Sequence, residues 1–314
     1  MLSPVPAPGV AACTAAGRPD LSVIIPAVNG IEILLECLDA LRANAARGTT
    51  LEILVIERCG DDVRRVLAER APEAVVFPVP LQTTIPEMRA HGFRHARADA
   101  VAVIEDHVLV PPDWARRLLD ALAAGGDVVG GSVHNAATAT TVDWAAFLCE
   151  YNHMLAPVAG ERVAGLTGNN VVYRRALVER YSALLDEGRW EDAFHAAMRR
   201  DGVALTCRPD ITVGHKMHYR MRDYVSQRYL YARAYAGMKR AGMPLVHRAL
   251  FTAGSLALPP LLFARIVSRV LASHRHRTEL ARSLPLLLVF VCAWAAGEAV
   301  GYAAGPGDAL ARVR

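Results

Sequence analysis

Short apolar segments alternate with amphipathic segments through the first part of the chain, and this alternation restricts the fold more than any other feature. Between the first two apolar segments, Ile31, Leu34 and Leu38 recur at helical spacing. Short buried strands separated by such helices predict an α/β fold, with a mostly parallel sheet covered by helices on both faces. The expected strands are residues 21–26, 51–56, 75–77, 100–104 and a fifth from residue 128.

The pattern becomes less regular after His134. Residues 135–163 have mixed character, and the elements expected beyond them are a strand at 170–173, helices at 176–185 and 192–200, and a strand at 204–207. Residues 1–20 are rich in Ala, Pro and Gly and lack the basic and apolar regions of a signal peptide, so they are expected to form a disordered tail.

Composition limits the classes of function. Hydrophobic residues make up 53% of the chain and the mean hydropathy is +0.21, which is apolar for a soluble enzyme and indicates a local membrane segment. The net charge of +4 is too small to call for a nucleic-acid partner. The six cysteines show no C-x-x-C spacing, so no zinc or redox motif is indicated, and reduced thiols fit a cytoplasmic catalytic domain.

Polar side chains follow three of the predicted strands. Pro26-Ala27-Val28-Asn29 ends the first strand, Glu57 ends the second, and Glu105-Asp106-His107 follows the fourth. Ligands of open α/β sheets bind at the carboxyl ends of the strands, and a carboxylate cluster there suits Mg²⁺ or Mn²⁺ holding a diphosphate. The alternative is that the acidic cluster only caps a surface turn.

The order of these motifs resembles the inverting family-2 glycosyltransferases, which have the GT-A fold. The likeness runs from about residue 21 to 215, and it rests on several segments in sequence. They are Ser22-Val-Ile-Ile-Pro-Ala-Val-Asn29, Glu52-Ile-Leu-Val-Ile-Glu57, Arg89-Ala-His-Gly92, Val103-Ile-Glu-Asp-His107 and Pro112-Asp-Trp114.

The resemblance implies roles for particular residues. Glu57 matches the acid that binds the nucleotide base, and Arg89 matches an arginine near the diphosphate. The metal and diphosphate motif falls on Glu105, Asp106 and His107, and Pro26, Ala27 and Asn29 are expected to line the nucleotide.

The motifs also depart from the family pattern. Glu105 and His107 stand where the family has two aspartates, Ala90 replaces an asparagine, and Glu57-Arg58-Cys59-Gly60 replaces Asp-Asp-Gly-Ser. An imidazole ligand shifts the preferred metal from Mg²⁺ toward Mn²⁺ or softer ions.

Glu191 and Asp192 resemble the family's Glu-Asp motif, which implies that Asp192 is the general base and Glu191 its catalytic neighbour. Such a base must lie within hydrogen-bond reach of the acceptor hydroxyl. The residues alone permit another explanation, because acidic side chains at a helix start are favoured by the helix dipole.

A segment rich in Gly and Asn, residues 165–170, matches the part of the family that lines the donor sugar and the acceptor; its residue types also fit a simple turn. The expected sugar-side residues are Gly168, Asn169, Asn170 and Trp190. His215 is expected as a further metal ligand or phosphate contact, and a structural histidine is the alternative.

Basic residues and tyrosines are frequent between Lys216 and Arg248. Tyr224, Arg228 and Tyr231 share a helical face, which suits the headgroup layer of an anionic membrane; a solvated helix packed on the catalytic domain is the alternative. The predicted divisions are a tail at 1–20, a catalytic domain at 21–215, an interface region at 216–248 and membrane helices at 249–314.

Two apolar segments follow. Residues 284–304 are long enough to span a bilayer, whereas residues 249–264 reach only about 24 Å at ~1.5 Å per residue and contain Pro259-Pro260. The loop between them is rich in arginine, and basic short loops stay cytoplasmic, so the first segment is expected to re-enter or to lie along the interface. The competing arrangement is a plain hairpin of two spanning helices.

These observations predict an enzyme of the inner membrane with a cytoplasmic catalytic domain. It would move a sugar from a nucleotide-diphosphate-sugar to a hydroxyl of a lipid-linked or cell-envelope glycan acceptor, with Mn²⁺ or Mg²⁺ as cofactor. The alternatives are an inactive membrane protein that binds nucleotide-sugars and, more weakly, a nucleotidyltransferase. A glycine-rich phosphate loop after the first strand would favour the latter, and Pro26-Ala27-Val28-Asn29 is not one.

Overall fold

The computed structural model describes residues 17–155, 158 and 162–313. The tail predicted at 1–20 therefore lies almost wholly outside the described residues. Contacts between Cα atoms divide the chain into two compact units. The first contains residues 1–81, 86–130 and 162–206, and the second contains residues 82–85, 131–161 and 207–314.

The first unit is built on the predicted sheet. Six of its strands lie in the order β3-β2-β1-β4-β7-β6, in which β1 to β4 are parallel and β7 is antiparallel to both β4 and β6. The sheet is therefore mostly parallel, as the sequence predicts. The strands are β1 (Leu21–Ala27), β2 (Leu51–Glu57), β3 (Val75–Pro78), β4 (Ala100–Val103), β5 (Val108–Leu109), β6 (Val128–Asn135) and β7 (Val171–Arg174).

Helices alternate with these strands. The apolar spacing of the first helix explains its packing, because Leu34, Leu38 and Leu41 are fully buried while the intervening acids are exposed. The helices of this unit are α1 (Ile31–Ala45), α2 (Asp61–Arg70), α3 (Ile85–His95), α4 (Trp114–Ala123), α6 (Arg175–Arg180), α7 (Ser182–Asp186) and α8 (Glu191–Arg200); α5 (Thr141–Tyr151) belongs to the second unit.

Three predicted elements have different bounds in the structure. The helix expected at 176–185 is interrupted at Tyr181, which has φ −107° and whose hydroxyl donates to Asp201 at 2.6 Å. The strand expected at 204–207 continues to His215 as β8 (Leu205–His215). The strand from Val128 also extends, to Asn135. The hydroxyl groups of Ser132 and Thr212 form a hydrogen bond of 2.6 Å where β6 and β8 are neighbours in the sheet.

The second unit contains a helix within residues 135–163, where the sequence pattern predicts no regular element. Helix α5 begins with a capping box in which the Thr140 side chain accepts from Asp143 N and the Asp143 carboxylate accepts from Thr140 N. The remaining helices of the unit are α9 (Met221–Lys239), α10 (Leu245–Gly254), a 3₁₀ turn (Ser255–Ala257), α11 (Leu258–Ala272), α12 (Arg277–Ala304) and α13 (Ala309–Arg312).

Helices α9 and α12 lie side by side and run in the same direction. Tyr224 packs on Phe290 with ring centroids 4.5 Å apart near the start of α9, and further along a Cβ on Gly301 would lie 2.8 Å from Ala236 Cβ. Small residues at four-residue spacing let two helix backbones approach closely. Side chains from α5, α9 and α12 share one buried cluster, which includes Ala145 and Ala146.

The helical run before α12 is longer than the predicted apolar segment. Pro259 and Pro260 lie in the first turn of α11, where a missing N–H costs no helical hydrogen bond, so they do not end the run. Leu245–Ala272 and Arg277–Ala304, at 28 residues each, are both long and apolar enough to cross a membrane by length and composition. The first apolar stretch is therefore long enough to span, which corrects the expectation that residues 249–264 are too short.

Candidate active site

Asp106 connects the ends of β1 and β4 in the first unit. Its carboxylate accepts from the backbone N–H groups of Val28 and Asn29 at 2.7 and 2.9 Å, and from Asn29 Nδ2 at 2.8 Å. A fourth contact joins Asp106 Oδ1 and His107 Nδ1 at 2.9 Å. A carboxylate offers about four lone-pair sites, so these bonds fix Asp106 as the group that positions the loop after β1.

Glu105 and His107 form the part of the acidic motif that can offer ligand atoms. Glu105 Oε2 lies 3.4 Å from His107 Nε2, and the Glu105 side chain is partly exposed. Burial opposes charge on the imidazole, but hydrogen bonds from Asp106 and Glu105 and their negative charges outweigh it and raise the pKa of His107 to about 10. A metal ion that displaces the imidazole proton would meet carboxylate oxygen and imidazole nitrogen, a donor set that suits Mn²⁺ better than Mg²⁺.

Glu57, at the end of β2, is fully buried and held by its own turn. Its Oε2 accepts from the N–H groups of Cys59 and Gly60 at 2.8 and 3.1 Å, and its Oε1 accepts from Arg64 at 2.5 Å. The neighbouring strand ends in Pro26 and Ala27, which are buried in β1 beside Ile56 and Glu57. The structure thus brings these predicted nucleotide-side residues to one edge of the sheet.

Arg89 is the centre of the cluster. It lies on α3 with 5% of its surface exposed, and its guanidinium pairs with Glu191 and lies 3.6 Å from Glu105 Oε1. Its Nη2 also donates to Gly168 O at 3.3 Å, and the guanidinium carbon is 5.8 Å from the Trp190 ring centroid. One cation therefore joins the acidic motif, the Gly-Asn segment and the start of α8.

Glu191 and Asp192 differ in their surroundings although they are adjacent. Glu191 is largely covered and its carboxylate faces Arg89. Asp192 is exposed, and its Oδ1 accepts from Ala193 N at 2.8 Å at the beginning of α8. Of the two acids, Glu191 is the one that the fold directs into the cluster.

The predicted sugar-side segment lies against these groups. A Cβ added to Gly168 would lie 2.1 Å from Glu191 Oε1, so any side chain there would displace the Glu191 carboxylate or the Arg89 guanidinium. Asn170 is fully buried and its Oδ1 accepts from Trp114 Nε1 at 3.0 Å. Asn169 is 1% exposed, and both polar atoms of its amide lack a partner among the described residues. An unpaired buried amide is costly, which marks Asn169 as a group that a ligand hydroxyl would satisfy.

Two buried residues behind the cluster were not selected from the sequence. The Tyr173 hydroxyl on β7 lies 2.8 Å from His195 Nε2 on α8, and Leu166 N donates to His195 Nδ1 at 3.4 Å. Burial, with the charges of Arg199 and Arg89, lowers the pKa of His195 to about 4. This neutral histidine fixes α8, and hence Glu191, against the sheet. In the sequence, His195 follows Glu191 by four residues, so both lie on one face of a helix, and this spacing could have identified His195.

His215 lies at the end of β8 in the second unit. It is 3% exposed, and its ring is 4.7 Å from the ring of Tyr151 on α5. Its predicted role as a metal ligand stays a prediction.

A parallel sheet whose carboxyl edge carries acids, an imidazole and a buried arginine defines an α/β enzyme that handles anionic, oxygen-rich ligands. The sequence profile described as glycosyl transferase family 2 matches residues 22–182. The chain belongs to this family, and it is a glycosyltransferase with a GT-A-like α/β fold.

Two known proteins illustrate the relationship. The succinoglycan biosynthesis protein ExoO of Rhizobium meliloti (strain 1021) is 26% identical over 110 residues, which is 34% of this chain and 31% of that protein. The chain thus matches about a third of the length of this curated relative. The mannosyltransferase PcManGT from Pyrobaculum calidifontis, solved in complex with GDP-Man and Mn²⁺, has a TM-score of 0.56 at 18% identity and covers 90% of this chain and 87% of its own.

Proposed function

We propose that the chain transfers a sugar from a nucleotide-diphosphate-sugar to an acceptor hydroxyl with inversion at the anomeric carbon. The observation that carries this proposal is the convergence of Glu105, Glu191 and Gly168 on the buried Arg89. A cation held between two acids can bind a diphosphate and stabilise the charge of the departing group. The solved relative bound to GDP-Man supports a nucleotide-sugar as donor.

Glu105 and His107 are proposed to hold a divalent ion, and the Mn²⁺ in the solved mannosyltransferase supports this. Such an ion would neutralise diphosphate charge when bound. Asp106 contributes by fixing the β1 loop, and Glu57, Pro26, Ala27 and Asn29 are proposed to line the nucleotide.

In the proposed reaction, an acceptor hydroxyl attacks the anomeric carbon while the bond from that carbon to the diphosphate oxygen breaks. The hydroxyl proton passes to a carboxylate of the Glu191-Asp192 pair, and the nucleoside diphosphate leaves with the bonding electrons. The resemblance favours Asp192 as the base, and the contacts of the structure favour Glu191. Asn169, Asn170, Gly168 and Trp190 are proposed to face the sugars.

The acceptor is proposed to be a lipid-linked or cell-envelope glycan, in keeping with the relative named for succinoglycan biosynthesis. The apolar helical stretches Leu245–Ala272 and Arg277–Ala304 support a location at the inner membrane, with the catalytic unit in the cytoplasm where nucleotide-sugars are made.

Incubation of membranes containing the chain with a panel of radiolabelled nucleotide-sugars tests the proposal. We expect label from one donor to enter a lipid or glycan fraction, and we expect no transfer with an Arg89→Ala chain. Donor binding without transfer from any donor would favour the inactive nucleotide-sugar-binding protein instead.

A further inference from the structure

An almost uncovered apolar surface lies on α10 and α11 in the second unit. In α10 no residue is buried, and in α11 only Ile266 and Val270 are. Large apolar side chains stand open to solvent along the stretch: Leu245 is 77% exposed, Leu250 63% and Leu256 82%. An apolar surface of this extent marks a contact with lipid or with another protein.

The neighbouring apolar helix, α12, has one side that is already occupied. Phe290 packs on Tyr224, Trp294 lies 5.4 Å from the guanidinium of Arg228, and Gly297 lies against the backbone of Tyr229. If α12 crossed the bilayer, α9 would have to cross beside it. Helix α9 carries Arg222, Asp223, Arg228, Arg233 and Lys239.

Charged side chains in a bilayer core are costly and rare, and α9 has no apolar span of its own. A transmembrane α12 would therefore require either the immersion of α9 or the loss of its close packing along α12. If α9 and α12 both stay outside the hydrocarbon core, α9 is not immersed and the two helices keep their packing.

Basic residues flank the apolar surface at both ends. Lys239 and Arg240 precede it, Arg248, Arg265 and Arg269 lie within α10 and α11 toward their outer ends, and Arg275, Arg277 and Arg282 follow, against the single acid Glu279 between residues 239 and 282. Apolar side chains bordered by arginine and lysine match an anionic lipid surface. The apolar side chains would contact the hydrocarbon, and the basic side chains would pair with the lipid phosphates. A protein partner would not require positive charge at both ends.

We infer that the chain is attached to one leaflet of an anionic membrane through α10 and α11 lying in the interface, and that α12 does not cross the bilayer. This arrangement differs from the spanning segment expected at 284–304. It also places the chain before α10, the loop between α11 and α12 and the segment after α12 on the same side of the membrane.

Vesicle flotation with the purified full chain tests the lipid contact. The Leu250→Glu/Leu256→Glu variant changes exposed positions, so it should keep the circular dichroism spectrum of the wild type. Leu81→Glu, at a 69% exposed leucine of the first unit, is the matched control. We expect wild type and control to float with phosphatidylglycerol-containing vesicles, and the double variant to lose binding at least tenfold. Weak wild-type binding to pure phosphatidylcholine would support the charge contribution.

Equal flotation of the double variant and the wild type would overturn the inference. So would a wild-type chain that is dimeric without lipid and becomes monomeric in the double variant while flotation is unchanged, because the surface would then be an interface between copies.

Labelling with an impermeant maleimide distinguishes the arrangements in the membrane. Single cysteines at Ala241, Arg275 and Asp308 each add one adduct to the wild-type pattern, compared in intact and permeabilised cells. We expect all three to label only after permeabilisation. Labelling of Asp308→Cys alone from outside would show that α12 spans, and labelling of Arg275→Cys alone would show a hairpin; either result overturns the in-plane arrangement.

Discussion

At the scale of single residues, Arg89 organises the proposed chemistry. Its guanidinium is buried among Glu105, Glu191 and Gly168 O, and the two acids offset the cost of burying the charge. When an anionic diphosphate enters, Arg89 can exchange a carboxylate for a phosphate oxygen. That exchange would release Glu191 to accept a proton.

The two acids at the start of α8 can be separated by matched amide variants, Glu191→Gln and Asp192→Asn. Loss of a general base typically lowers the rate by ~10²–10⁴, while nucleotide binding changes only a few-fold. From the contacts of Glu191 we expect the larger loss in Glu191→Gln; the family resemblance predicts it in Asp192→Asn. Turnover close to wild type in both purified variants would remove the pair from the mechanism.

A divalent ion at Glu105 and His107 would make nucleotide binding depend on the metal. Nucleoside-diphosphate binding, measured by calorimetry, should be strong with Mn²⁺, weaker with Mg²⁺ and weakest with EDTA, and His107→Ala should reduce the Mn²⁺ effect. Asn44→Ala, at a buried position where Asn44 bonds Pro111 O and Ala115 N, controls for general loss of packing. Equal affinity in all three conditions would refute the proposal.

At the scale of elements, α8 is fixed to β7 through a neutral histidine. Because the folded-state pKa of His195 is about 4 and its ordinary value is 6.5, the unfolded chain binds the proton more readily. The contribution of neutral His195 to the free energy of unfolding is complete above about pH 6.5. It is lost as the pH falls toward 4, by up to about 3 kcal/mol. Glutamine can replace both hydrogen bonds without titrating, so His195→Gln should flatten the decline of melting temperature between pH 7 and 4.5. If the melting temperature of His195→Gln falls with pH as steeply as that of the wild type, His195 is not the source of the decline.

The parallel contact of α9 with α12 gives another element-scale prediction. A Cβ on Gly297 would lie 2.2 Å from Tyr229 O and 2.9 Å from Ala232 Cβ, so Gly297→Ala should destabilise the second unit by about 1–3 kcal/mol. Nothing lies within 4 Å of a Cβ on Gly254, and Gly254→Ala should be neutral or stabilising by up to about 1 kcal/mol. Thermal unfolding compares the two, and equal melting temperatures would contradict the packing of these helices.

At the scale of the whole molecule, the sequence predicts the half of the fold in which local pattern and packing agree. Strands β1 to β4 and helix α1 follow directly from apolar spacing, and Asn29, Glu57 and Glu105 lie at or just after strand ends, where the sequence places them. Helix α5 was missed because its capping signal, Thr140 with Asp143, uses Asp rather than Glu.

Other features depend on contacts distant in sequence, which no local pattern contains. The difference between Glu191 and Asp192 is set by Arg89, about a hundred residues earlier. The role of Asp106 appears only when Val28 and Asn29 are beside it. The packing of α9 along α12 likewise has no signature in the hydropathy of residues 284–304, which predicts a spanning segment from that stretch alone.

A single displacement inverts the configuration of the anomeric carbon, so the configuration of the product decides whether the proposed reaction takes place. With the donor identified from the labelled panel, the anomeric proton coupling of the isolated product is measured by nuclear magnetic resonance. A donor with an α-linked diphosphate should give a β-linked product. An α-linked product would contradict the single displacement and the assignment of Glu191 and Asp192 as base.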